Sequence, residues 1–220
     1  MIKAVIFDFD GTIGDTLPLC IAAFRKAIEP LTGKSISDEE IVATFGPSEE
    51  GTIMALIPEF YEQGLSNYLK YYKELHGMCP EPFDGIKSIL RFLKESNVIT
   101  ALVTGKGEKS CNISLTYYNL EDSFGLIKTG SPKGQRKVEG IREVLEYFNL
   151  KSNEVIYVGD TVSDIHCARK AGVPIISATW GSFADAVEVS KYHPDRMFQF
   201  VLELKEYLTE QVSSQGLHIL

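Results

Sequence analysis

The sequence predicts an α/β fold, an open parallel sheet with a block of helices inserted after its first strand. Three observations carry that expectation. Short apolar runs end abruptly at polar or glycine residues, helical patterns alternate with those runs beyond residue 80, and residues 15–80 hold helical stretches without a convincing strand. The runs are residues 4–7 before Asp8, 98–103 before Thr104, 155–158 before Gly159-Asp160, and 173–178, with a weaker one at 124–128. Their apolarity is continuous rather than alternating, which suits strands covered on both faces. Helical patterns fall at residues 85–96, 108–118, 138–150, 164–171 and 183–190. Strand and helix therefore alternate at the spacing of βα units in a doubly wound sheet.

Residues 15–80 break that rhythm. Helical stretches near 16–29, 37–45, 49–57 and 59–75 are punctuated by Pro30, Pro47, Pro58 and Pro80. The stripe Tyr61, Leu65, Tyr68, Leu69 and Tyr72 has helical spacing and reads as core packing in preference to a cofactor box. The expected organisation is a core of residues 1–14 and 81–210, a helical insertion of residues 15–80, and a tail of residues 211–220 after the last helix.

Composition narrows the function. With 220 residues, a formal net charge of −8 and 24% charged residues, the chain can build a substantial core but offers little to polyanions. Nucleic acid and anionic membrane are therefore not expected partners. Cys20, Cys79, Cys111 and Cys167 are scattered without a CxxC pair, so they read as reduced, buried thiols. With no targeting pattern before the first apolar run and no membrane-length apolar stretch, a cytoplasmic location is expected.

Chemistry concentrates where the strands end. In an open parallel sheet ligands sit beyond the carboxyl ends of the strands, so Asp8, Thr104 and Asp160 should converge on one edge. Asp8 and Asp10 alternate along extended chain and can face one small site, with Gly11 allowing a sharp turn after them. Neighbouring carboxylates repel unless a cation lies between them or one is protonated. A hard divalent ion such as magnesium resolves the conflict for Asp8, and Asp10 can then carry a proton as general acid. The alternative is a turn capped by aspartates, which for D-x-D alone is as good a reading. Asp160 ends its strand as a further ligand. Asp164, four residues on, shares a helical face with it, although acidic residues favour helix N-termini in any case. Thr104-Gly105-Lys106 offers a hydroxyl and backbone N–H groups to a phosphate oxygen. Among Lys133, Arg136 and Lys137, the first two read as a solvated loop. Lys137 opens a helical run and is the candidate to neutralise phosphate charge. His76, His166, His193 and His218 lack ligand spacing and read as packing or surface residues. No nucleophile elbow or Ser-His-Asp order suggests another mechanism.

With these residues placed, the chain resembles the haloacid dehalogenase-like (HAD) hydrolase superfamily along nearly its whole length. Asp8-Phe9-Asp10-Gly11-Thr12-Ile13 is similar to its first motif, Thr104 to its second, Lys137 to its third and Gly159-Asp160-x-x-x-Asp164 to its fourth. The resemblance implies a Rossmann-like core with a subclass I helical cap inserted after the first strand. Thr179-Trp180-Gly181, Ala171-Gly172-Val173 and Phe45-Gly46-Pro47 look most like the phosphoglycolate phosphatase group. Asp10 argues against a dehalogenase, and Gly46-Pro47-Ser48-Glu49-Glu50 lacks the basic residue of the mutase branch. The Lys-Pro of phosphoglycolate phosphatases is absent; Lys137-Val138-Glu139-Gly140-Ile141 matches the Lys-x-Glu-x-Ile of another branch and selects Lys137 over Lys133.

The resemblance implies a magnesium-dependent phosphatase acting on a small phosphorylated metabolite, phosphoglycolate-like or a sugar phosphate. Asp8 is the nucleophile and Asp10 the acid and base, with Thr104, Gly105 and Lys137 on the phosphoryl oxygens. Asp8, the Asp10 carbonyl, Asp160 and Asp164 surround Mg2+. The rival readings are a phosphoryl-transferring mutase and a non-catalytic binding relative; a receiver-type domain has no place for the helical insertion. A monomer or weak homodimer is expected.

Overall fold

The computed structural model describes residues 1–213. Six parallel strands run β1 (Ala4–Phe7), β2 (Ile99–Val103), β3 (Leu126–Lys128), β4 (Val155–Gly159), β5 (Ile175–Ala178) and β6 (Arg196–Phe198), in the spatial order β3-β2-β1-β4-β5-β6. The order reverses direction at β1, between β2 and β4, and that is the place where such sheets open a ligand crevice.

The apolar runs are continuous because alternate residues feed two separate cores. Val5 and Phe7 of β1, Leu102 of β2, and Ile156 and Val158 of β4 join one face. Against them pack α5 (Ile86–Glu95), α6 (Glu108–Tyr118) and α10 (Val201–Ser213). Ala4 and Ile6, Ala101 and Val103, and Val155 and Tyr157 join the other face, under α7 (Lys137–Tyr147), α8 (Val162–Ala171) and α9 (Ala186–Ser190). A charge at any of these positions would enter a core from one side or the other, which explains the lack of alternation.

Between β1 and α5 lie α1 (Leu17–Thr32), α2 (Asp38–Val42), α3 (Glu49–Leu56) and α4 (Tyr61–Glu74). They enclose a third core that includes Leu19, Ala23, Phe24, Ile28, Ile53, Tyr68 and Tyr72. The Tyr68 ring stacks on Phe24, with centroids 4.2 Å apart. Among the described residues, no helix is long and apolar enough to cross a membrane.

Three expectations need correction. Pro30 does not end its helix: α1 continues through it to Thr32. The missing Pro30 N–H costs the helix one bond, to the Lys26 carbonyl, and Gly33, at φ 66°, closes the helix right after Thr32 by bonding to the Glu29 carbonyl. β6 went unforeseen because its three residues form a partly exposed edge with no apolar run to announce it. The last helix also extends to Ser213, past the expected start of a tail at 211; residues 214–220 lie outside the described residues.

Candidate active site

The ends of β1, β2 and β4 bring the polar residues together. The pairing Phe7 to Val158 sets Asp8 beside the end of β4, where the Asp8 N–H still bonds to the Val158 carbonyl (2.8 Å). Asp8 is 4% exposed. Its Oδ1 accepts the Phe9 N–H (2.7 Å) and its Oδ2 accepts Lys137 Nζ (2.6 Å). Burial pushes the Asp8 carboxyl up to about 6; the Lys137 ammonium lowers it and the Asp164 carboxylate raises it.

Lys137 is the first residue of α7, where a helix dipole disfavours a cation, and it is buried. Asp8 and Asp164 compensate, each receiving a 2.6 Å bond from its Nζ. Burial opposes the ammonium, but the charges of Asp164 and Asp8 prevail and raise its pKa. Lys133 and Arg136 are exposed, and Arg136 pairs with Glu143.

Asp160, Asp164 and Asp8 each offer a carboxylate oxygen within 4.8 Å of the others. Asp160 accepts a long bond from Thr12 Oγ1 (3.3 Å), and burial, then Asp164 and Asp8, push its carboxyl well up. A Cβ on Gly11, at φ +78°, would overlap the Asp160 carboxylate, so the turn after Asp10 demands glycine twice over. Asp164 differs. Its Oδ1 accepts Lys137 and the Tyr157 hydroxyl (3.0 Å), and its Oδ2 accepts the Thr161 N–H (3.0 Å) and hydroxyl (2.6 Å). Four donors saturate this carboxylate, and despite burial they hold it ionised below its ordinary range.

Asp10 turns away from that trio. Its carboxylate accepts the Thr16 hydroxyl and the ammonium of Lys106 (3.1 and 3.5 Å). Thr16 sits at the N-cap of α1 but makes no capping bond there. The Lys106 side chain is 2% exposed, and its ammonium lies 4.3 Å from the centre of the Tyr72 ring. Burial is the strongest influence and disfavours its charge, but the raising influences together, the Asp10 carboxylate foremost, lift its pKa. Thr16 and Lys106 were missed in the sequence. Lys106 carried a signal, since it completes the turn Thr104-Gly105-Lys106 in a chain poor in cations.

Thr104, at the end of β2, is buried, and its Oγ1 accepts the Lys106 N–H (3.2 Å). Gly105 lies between the Lys137 side chain and the Gly46 carbonyl. With Asp8, Asp10, Lys106, Lys137 and Asp160, these residues form the floor of a cavity of ≈ 270 Å³. Its roof comes from the helical segment: Leu17, Cys20, Phe24, Phe45, Pro47 and Tyr68, with Glu49 and Thr52. The tyrosine stripe thus packs, as expected, while Tyr68 also faces the cavity. Loop contacts close the seam, with Ser48 N–H on the Ser131 carbonyl (3.0 Å) and Gly107 N–H on Glu49 Oε2 (2.7 Å). His76 is buried against Tyr72, Tyr118 and Ser114, His166 and His193 are exposed, and His218 lies outside the described residues. All four cysteines are free and buried.

Residues 5–178 match the family model described as haloacid dehalogenase-like hydrolase. The chain belongs to this hydrolase family. A phosphoglycolate phosphatase of Xylella fastidiosa is 30% identical over 193 residues, 81% of each chain. Pyrophosphatase PpaX of Bacillus cereus is 24% identical over 210 residues, covering 94% of this chain and 97% of its own. A haloacid dehalogenase-like family hydrolase of Streptococcus pneumoniae superposes with a TM-score of 0.75 at 26% identity, over 94% of this chain and 98% of the other. The chain is thus a HAD-family hydrolase of the phosphatase type.

The donor set fits a hard divalent cation. Asp8 and Asp160 are buried carboxylates pushed up in pKa by burial first and then by neighbouring carboxylates, Asp164 for Asp8 and Asp164 with Asp8 for Asp160, which is the condition a small dication relieves. Asp164 has no oxygen to spare, and the Asp10 carboxylate is engaged elsewhere.

Proposed function

We propose that this protein is a magnesium-dependent phosphatase that hydrolyses a small phosphate monoester through an aspartyl-phosphate on Asp8. The observation that carries the reading is the pairing of a buried, strand-end carboxylate with a buried lysine, Asp8 with Lys137, beside a second buried carboxylate, Asp160. Asp8, Asp160 and the Asp10 backbone carbonyl would hold Mg2+, which when bound offsets phosphoryl charge and fixes the ester for attack.

In the first step an Asp8 carboxylate oxygen attacks phosphorus in line. The bond to the leaving oxygen breaks as Asp10 transfers its proton to that oxygen. Asp10, now a carboxylate, accepts a proton from water, whose oxygen attacks phosphorus and releases phosphate from Asp8. Lys137, Thr104 and the Gly105 N–H hold the equatorial oxygens, where charge builds in the transition state. Thr16 and Lys106 fix the Asp10 carboxylate between the two proton transfers. Asp164 acts as a positioning residue, aligning Lys137 and tying α8 to the end of β4.

Residues 15–80 serve as a cap that shields the site and selects the leaving group. The relatives named for phosphoglycolate and pyrophosphate make both compounds candidate substrates. The test is a magnesium-dependent assay on a generic aryl phosphate with the wild-type protein and Asp8→Asn. The variant should lose about 10⁵-fold in kcat, in keeping with removal of a nucleophile. Undiminished turnover by Asp8→Asn contradicts the covalent route.

A further inference from the structure

Among the described residues, Glu49 is the one acid of the cavity roof. It is 5% exposed and lines the cavity, and its Oε2 is committed to the Gly107 N–H. Its Oε1 is buried and has no hydrogen-bond partner among the described residues. A position in the first turn of α3 accounts for an acid there, but not for a buried oxygen left unmatched. Nearby cations are already assigned. The lysines that line the cavity are Lys106, on Asp10, and Lys137, on Asp8 and Asp164. Around the cavity the carboxylates of Asp8, Asp10, Glu49, Asp160 and Asp164 outnumber these two ammonium groups.

We propose that Glu49 is a specificity-determining residue that accepts a hydrogen bond from a hydroxyl or ammonium group on the alcohol half of the ester, and that it disfavours a leaving group bearing a carboxylate or second phosphate. The inference rests on the phosphatase reading and narrows its substrate. An uncharged or cationic alcohol bearing a donor satisfies Oε1, and the surrounding Phe24, Phe45 and Tyr68 cover its carbon skeleton. A second anion would lie against Glu49 with no free cation in the wall, and buried like charges exclude such ligands strongly. Phosphoglycolate and pyrophosphate therefore fit this roof less well than a phosphorylated polyol or amino alcohol.

The test uses three esters of matched length, phosphoglycolate, ethylene glycol monophosphate and phosphoethanolamine, assayed for kcat/KM with wild type and Glu49→Gln. Wild type should prefer the hydroxyl or ammonium ester to phosphoglycolate by roughly tenfold or more, the scale of a charge-assisted hydrogen bond. Glutamine can keep its oxygen on Gly107 and turn an NH2 donor to the ligand, so Glu49→Gln should shift the preference toward phosphoglycolate. A residue that only clasps roof to floor would change all three esters alike. Calorimetric binding of the matching phosphonates, phosphonoacetate, 2-hydroxyethylphosphonate and 2-aminoethylphosphonate, reads the same preference without turnover. Loss of all hydrolysis with the binding order intact would sink the phosphatase reading alone. Equal or better use and binding of the carboxylate compounds by wild type, or ratios unmoved by Glu49→Gln, would overturn the role of Glu49.

Discussion

The floor and the roof of the cavity solve opposite problems. The floor gathers charge: Asp8, Lys137, Asp160 and Asp164 are buried together, and nearly every oxygen has a named donor. The roof is mostly apolar and aromatic, and its one acid keeps an unmatched oxygen. Buried charges need fixed partners at fixed distances, so the floor tolerates few sequences. Apolar walls need only complementary shape, so the roof can change with the substrate. On the proposed mechanism the floor carries the reaction and the roof the choice of leaving group.

The comparison can be broken by variants that attack one side. After the loss of the Asp8 nucleophile, the largest effect is expected for Asp10→Asn, about 10³-fold in kcat on an alkyl ester, where the leaving oxygen needs a proton. On a nitrophenyl ester departure needs no acid, so the loss should come from the second step alone, and burst kinetics would show it. Next, Lys106→Met should lower unfolding stability by about 3 kcal/mol in denaturant titration, because it strands the Asp10 carboxylate beside a buried site. A smaller and different effect is expected in the roof. Phe24→Leu keeps the third core apolar and should raise KM several-fold, with kcat changed by less than about threefold. A roof variant that abolished kcat while staying folded would erase the division of labour.

The smallest effect is a pH-dependent one. The Asp8 carboxyl lies near 6 in the fold against an ordinary 3.8, so between these values the folded state holds more protons than the unfolded one. This group's contribution to stability therefore declines as pH rises toward 6, and the penalty remains above it. A bound dication requires the bare carboxylate and offsets that penalty. Magnesium should thus raise Tm by a few degrees well above pH 6 and by less at about pH 5, as followed by calorimetry.

The same contrast governs what could be read from the sequence. Asp8, Thr104 and Asp160 were legible because each terminates an apolar run, and a doubly wound sheet brings such ends to one edge. Lys137 was legible through its motif, and the geometry supplies the physical reason: its ammonium bridges Asp8 and Asp164. Lys106 on Asp10 spans 96 positions and has no periodicity to betray it. Thr16 stood only as the start of the helical stretch 16–29, and nothing in the pattern shows that its hydroxyl serves Asp10. Glu49 stood only as the start of the helical stretch 49–57, and only its burial reveals an unmatched oxygen. The saturation of Asp164 was equally invisible, since spacing shows which face a carboxylate occupies and not how many donors reach it.

The covalent role of Asp8 is tested most directly by trapping. Asp10→Asn supplied with magnesium and a nitrophenyl phosphate should accumulate one phosphoryl group on the peptide containing Asp8, detected by mass spectrometry after acid quench and removed by hydroxylamine. The double variant with Asp8→Asn should take up none. A wild-type enzyme that releases phosphate while the trapping variant stays unlabelled at Asp8, or is labelled at another residue, would contradict the account.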